Sequence, residues 1–256
     1  MKNFVRIAIL VCGGAALLSA DTVSINGSLS ASATFTYNIT SQTVSVTLTN
    51  LTPTIGAANL LTDFIFQLSD TSGLAPQITS PSGDISATAG QLVNVSSTGS
   101  VSAATDPAAW GFGIYNDSTL TQYNGSYLIC TVCGAGVTAP YQPSEGILGH
   151  GTGSGSTPYS TANGSIKAND PHNPFFGTLT GGDGSATFQF SAKNLSANTF
   201  VTNAYFSFGT AWGTEIPGGT TITGGELPEP VTFVLTGTAL LGVGLFSRRR
   251  AKRSQQ

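Results

Sequence analysis

Charge is what this chain has least of. Of its 256 residues, 9 are Lys or Arg and 12 are Asp or Glu, so only 8% are charged and the formal net charge is −3. Nucleic-acid backbones are recognised by clustered Lys and Arg, and this balance excludes a nucleic-acid binder. The same scarcity excludes a coiled coil, which needs Glu, Lys and Leu in quantity. Histidine is equally rare: His150 and His172 are the only two, so any imidazole acid–base step has to use one of them. Cysteine is limited to three residues. In their place stand 32 glycines and 64 serines and threonines, a quarter of the chain. That composition suits a hydroxyl-rich β protein.

The few charges are unevenly placed. Lys2 and Arg6 precede an apolar run from Ile7 to Leu18, and Arg248, Arg249, Arg250, Lys252 and Arg253 follow residue 247. Between them the only cations are Lys167 and Lys193, whereas all 12 acids lie from Asp21 to Glu229, so the stretch 21 to 230 has a net charge of −10. Residues 1–20 read as a secretory signal peptide: a basic start, a short apolar core, and a small residue, Ala20, that suits cleavage before Asp21. The core is too short to span a bilayer comfortably. Cys12 leaves a lipoprotein signal as an alternative, disfavoured by how few apolar residues precede it.

At the other end, Pro228-Glu229-Pro230 is followed by Val231 to Ser247 without a charge and then by the arginine cluster. Those 17 residues would give a helix of about 25 Å, the short end of a transmembrane span. The basic cluster behind it is expected to stay cytoplasmic, which puts the body on the other side of the inner membrane.

The order Pro-Glu-Pro, short apolar helix, Arg-rich terminus, on a chain that also has an N-terminal signal, resembles the PEP-CTERM sorting domain. The resemblance covers residues 227–256. It implies an exported bacterial protein of an exopolysaccharide or biofilm producer, held in the inner membrane as a precursor. It also implies processing near Pro228-Glu229-Pro230 by the membrane protease exosortase, and delivery to the cell surface or the extracellular polymer. About the body it implies nothing, because such tails are attached to unrelated bodies.

Residues 21–226 are expected to form one all-β body, a β-sandwich of the jelly-roll or immunoglobulin-like kind. The local signal is period-two alternation in Ala33–Tyr37, Val44–Thr49 and Ala186–Phe190, where apolar and hydroxyl residues fall on opposite faces. Asn38 to Gln42 would join the first two as a hairpin. Further strands are expected at Phe64–Leu68, Gln91–Val95, Trp110–Tyr115, Ser126–Cys130, Phe175–Thr180 and Phe200–Phe208. A turn or two of helix is expected only around Ile55 to Leu61. The Gly/Ser/Pro-rich stretch from Gly134 to Pro174 reads as a long surface excursion. A division into two domains near residue 100 is the alternative.

Cys130-Thr131-Val132-Cys133 contains the only cysteines left after signal cleavage. Outside the cytoplasm the simplest reading is a disulfide between Cys130 and Cys133. A redox pair would want a helix at the first thiol, and Gly134-Ala135-Gly136 follows instead. A zinc site would need His150 and His172 at a spacing unlike a finger. No metal, cofactor or catalytic residue is therefore assigned. Gly181-Gly182-Asp183-Gly184 resembles the start of a calcium-binding nonapeptide but has Ala186 where a ligand Asp is needed, and reads better as a turn. Tyr123, Tyr141 and Tyr159, in loop-like surroundings, are the sugar-stacking candidates.

The leading expectation is a non-enzymatic exported surface or matrix protein, with exosortase and the inner membrane as processing partners. The alternative is a carbohydrate-binding module that recognises exopolysaccharide through the loop tyrosines. A matrix hydrolase is the third, to be revived by a pocket with two carboxylates or by His150 beside an acid.

Overall fold

The computed structural model describes residues 18–223 except 54, 72, 106–108, 119–120, 135, 138–145, 163–165, 167–172, 211–214 and 217–220. Most of the expected signal segment, the whole of the expected sorting tail, Tyr141 and His172 lie outside the described residues. The body is all-β. Its strands are β1 Leu18–Ile25, β2 Ala31–Asn38, β3 Thr43–Asn50, β4 Leu61–Asp70, β5 Gln77–Ile78, β6 Gly83–Ser86, β7 Ala89–Gly90 and β8 Leu92–Val95. The second half adds β9 Val101–Ala103, β10 Ala109–Ile114, β11 Tyr127–Cys130, β12 Phe175–Phe176, β13 Ser185–Lys193, β14 Thr199–Phe208, β15 Glu215–Ile216 and β16 Thr221–Thr223.

Alternation decides the long strands. In β2, Ala31, Ala33, Phe35 and Tyr37 are buried and the residues between them are half-buried; in β3 the phase is shifted by one, burying Val44, Val46, Leu48 and Asn50. The expected hairpin joins them through residues 39–42, in register from Ala31 opposite Asn50 to Asn38 opposite Thr43. Its turn is held by the Ser41 amide, which donates to Asn38 Oδ1 at 2.9 Å, and Gln42 accepts a positive φ of 52° there.

Three antiparallel sheets result. One runs β16-β1-β2-β3-β13-β5 with β7 also on β13, a second runs β15-β14-β4-β11-β10-β6, and a small third runs β12-β8-β9. The first two sheets face each other across one aromatic core: Phe35 meets Phe66 at 5.1 Å and Phe64 at 5.9 Å, Trp110 meets Phe188 at 5.2 Å, and Phe112 meets Phe190 at 4.6 Å. Each such fully buried ring contributes about 1.5–3 kcal/mol by leaving water. Both sheets draw strands from before and after residue 100, as in the β3–β13 and β4–β11 ladders.

The structure corrects the surface reading of residues 134–174. Ile147, Leu148 and Tyr159 are fully buried, and Ile147 bridges Leu61 on one side and Phe176 on the other. Leu148 and Tyr159 join Val93, Val95 and Phe175 in a second core beneath the three-stranded sheet. A glycine makes this approach feasible: a Cβ on Gly184 would collide with the carbonyl oxygens of Phe176 and Leu148. Two further expectations shrink. The helix around Ile55 to Leu61 is a single 3-10 turn, Ala57–Asn59, and the strand at Phe175–Thr180 is paired only at Phe175–Phe176. Among the described residues no helix is long and apolar enough to cross a membrane, and the segment 231–247 is not among them.

Candidate functional site

The first expected site, the cleavage position, is part of a strand. Ala20 lies opposite Thr36 and Asp21 opposite Phe35 in the β1–β2 ladder, so cleavage between them would remove Leu18–Ala20 and begin the strand at Asp21. The Asp21 side chain is buried. Its Oδ2 accepts the Tyr37 hydroxyl at 2.9 Å and the Val201 amide at 3.0 Å, which ties β1 to β2 beside it and to β14 of the facing sheet. Burial, and then the Asp21 carboxylate, push the Tyr37 phenol far above its ordinary 10.0.

Cys130 and Cys133 are joined in a disulfide, as expected. It closes a turn over the outward face of the six-stranded sheet, where Ile65, Leu128 and Cys130 alternate with the core-facing Phe64, Phe66 and Ile129. A buried carboxylate fastens that turn: Asp63 Oδ1 accepts the Val132 amide at 3.0 Å, while the Thr131 amide donates to Thr62 O at 2.9 Å.

The loop tyrosines are a correction. Tyr159 has no exposed surface, its hydroxyl donates to Thr178 O at 3.2 Å and accepts the Thr178 amide at 3.1 Å, and burial raises its pKa. Tyr123 is 3% exposed and packs edge-on against Tyr115 and Tyr205 at 5.6 and 4.5 Å. Neither ring can stack on a sugar. Both sit in loops, but the loops close over hydrophobic clusters, and an aromatic ring in such a loop is a cheap source of buried area.

His150 lies beside an acid. Its Nδ1 is 3.1 Å from Asp183 Oδ1, and the two side chains are 56% and 38% exposed. The pairing follows from the chain path, since the Gly184 amide donates to Leu148 O and the Gly151 amide to Gly181 O, which brings the 181–184 turn alongside the 148–151 segment. A carboxylate on Nδ1 is the arrangement that orients an imidazole for base catalysis. Here no hydroxyl is bonded to the other ring nitrogen among the described residues, and the pair is open to solvent. Among the described residues no group of three His, Cys, Asp or Glu side chains could hold a metal ion.

One concavity was not legible in the sequence. A groove of about 460 Å³ lies where the six-stranded sheet meets the edge strand β5, lined by Gln67, Leu68, Gln77, Ile78, Ile114 and Tyr127 among others. Ile114 and Tyr127 are directly opposite in the β10–β11 ladder, so they present side chains to the same face.

No protein-family model matches the chain, and neither a curated protein nor a solved structure does.

Proposed function

We propose that this chain is an exported, non-enzymatic protein of the cell surface or extracellular polymer layer, with a β-sandwich body of the jelly-roll or immunoglobulin-like kind between a cleaved signal and a PEP-CTERM tail. The observation that carries the reading is the order at residues 228–253: Pro228-Glu229-Pro230, seventeen uncharged residues, then Arg248, Arg249, Arg250, Lys252 and Arg253. In this reading residues 231–247 hold the precursor in the inner membrane and exosortase releases the body near Glu229.

Two features of the body support export. Its only two cysteines form the Cys130–Cys133 disulfide, which persists in oxidising compartments and is rare in the cytosol. Removal of the basic tail would leave the body at −10, hydroxyl-rich and self-repelling, which suits a solute that stays hydrated among polysaccharide chains. The folded position of Asp21 adds an order of events. Its backbone is paired and its side chain buried, so cleavage of the Ala20–Asp21 bond precedes the closure of β1 onto β2.

The test is made in the producing cell. Replacing Pro228, Glu229 and Pro230 together by Ala should trap the protein in the membrane fraction at its precursor size, while the parent chain reaches the surface or medium. Equal release of both forms would overturn the sorting reading.

A further inference from the structure

We infer that removal of the signal segment is also a folding switch: the α-ammonium that cleavage creates at Asp21 pairs with the buried Asp21 carboxylate and locks β1 to both sheets. The inference rests on the reading that the Ala20–Asp21 bond is the one cut, and goes beyond it. It gives the targeting step a consequence inside the fold.

Cleavage changes the charge at one atom. Hydrolysis of the Ala20–Asp21 peptide bond gives water's hydroxyl to the Ala20 carbonyl and its proton to the Asp21 nitrogen. An uncharged amide becomes an amine, and α-amines with an ordinary pKa of about 7.7–8.0 are protonated at neutral pH. Covalent geometry holds the α-nitrogen and the carboxylate of one aspartate about 3–4 Å apart. In the unfolded chain water screens that pair. In the folded chain Asp21 is 5% exposed, and the attraction between opposite charges grows as water is excluded.

The surroundings suit an incoming cation. Asp21 Oδ2 takes the Tyr37 hydroxyl from β2 and the Val201 amide from β14, so the carboxylate is fixed where the new charge arises. Tyr37 is the titratable side chain that faces it from β2, whereas Tyr205 of β14 lies with Tyr123 on the other face of its sheet. β1, β2, β14 and β16 contain no Lys, Arg or His, so the ammonium is the cation these strands can supply. The ladder to β16 ends at Thr22, opposite Thr223. Among the described residues no strand pairs with Asp21 on that side, which leaves room for the ammonium protons.

The uncut chain fits less well. Ser19, two residues back and on the same face of β1, is 7% exposed, and among the described residues its hydroxyl has no hydrogen-bond partner. A buried hydroxyl without a partner destabilises. Retaining Leu18–Ala20 keeps that orphaned group, and the cut exchanges it for a paired charge.

The test uses the protein isolated from the producing cells, with its first residue read by mass. Cyanate at about pH 6.5 carbamylates α-amines in preference to lysine ε-amines, which are protonated there, and so removes the Asp21 charge. The carbamylated protein should melt about 5 °C below the unmodified one at neutral pH. The same reaction on Asp21→Asn should lower melting by less than about 1 °C, because the carboxylate is gone. In the unmodified protein the carboxylate holds the folded pKa of the amine above its unfolded value. The added stability is therefore complete below about pH 7.5 and is lost as pH rises towards about 9, short of the range in which tyrosines titrate. The carbamylated protein should show no such fall. Equal melting of the modified and unmodified forms overturns the inference, as does an equal loss in Asp21→Asn, which would mark a steric effect. A first residue other than Asp21 sinks the cleavage reading and this inference with it. A chain that begins at Asp21 but is indifferent to carbamylation sinks the inference alone.

Discussion

The Tyr37 hydroxyl donates to Asp21 Oδ2 at 2.9 Å, and this same oxygen takes the Val201 amide from the facing sheet at 3.0 Å. One buried carboxylate thereby fastens the first strand of the expected mature chain to its own sheet and to the other. Tyr37→Phe removes a donor to that carboxylate without altering the residues around the cleavage bond. It should cost about 1–3 kcal/mol in urea unfolding, because a buried charge loses one of its partners. An unaltered midpoint would show that water replaces the phenol.

The same contact sets an alkaline limit. Tyr37 has its pKa raised by burial and by Asp21, and Tyr159 by burial. A tyrosine whose folded pKa lies above the unfolded value contributes stability that is complete below about pH 10 and is lost as pH rises from there towards the folded value. Unfolding free energy should therefore fall above pH 10, by about 1.4 kcal/mol per pH unit for Tyr37, with a further loss from Tyr159. Denaturant titrations from pH 8 to 11 read the slope, and Tyr37→Phe should remove the larger part of it.

Phe35 touches both Phe64 and Phe66 of the facing sheet. Phe35→Ala should destabilise by about 3–5 kcal/mol through lost burial and a cavity between the sheets. A loss below about 1 kcal/mol would mean that the sheets do not share a core.

These rings were visible in advance because alternation is a local property. Phe35 and Tyr37 in β2, and Phe188 and Phe190 in β13, occur every second residue within long strands, and the expected hairpin follows. β5, β7 and β15 are two residues each and exist only because β13 and β14 pair with them, so no local pattern announces them. Tyr159 misled for a related reason. It stands in Gly- and Ser-rich sequence, where the surrounding composition says loop but the partners that bury it, Val93, Leu148 and Phe175, come from three separate segments. Ile147-Leu148 was the available hint that this stretch returns to the core. The His150–Asp183 pair joins residues 33 apart, and the groove joins β4, β5, β10 and β11; neither adjacency has a sequence period.

The Cys130–Cys133 disulfide closes a very short loop, so its effect on the unfolded chain is small. Replacing both cysteines by Ala should lower stability by about 2 kcal/mol and loosen the turn fastened by Asp63, while the two-sheet core persists. Amide hydrogen exchange should show faster opening at Thr131 and Val132 and unchanged protection in β2, β3 and β13. Equal acceleration throughout would place the disulfide in the global folding unit.

Export followed by sorting is tested most directly by the intact mass of the protein isolated from the cells that make it, measured with and without reduction. The account predicts a chain from Asp21 to about Pro230, lighter by two hydrogens until Cys130 and Cys133 are reduced, plus the mass of anything joined at the cut. A mass that extends through Gln256 would contradict it.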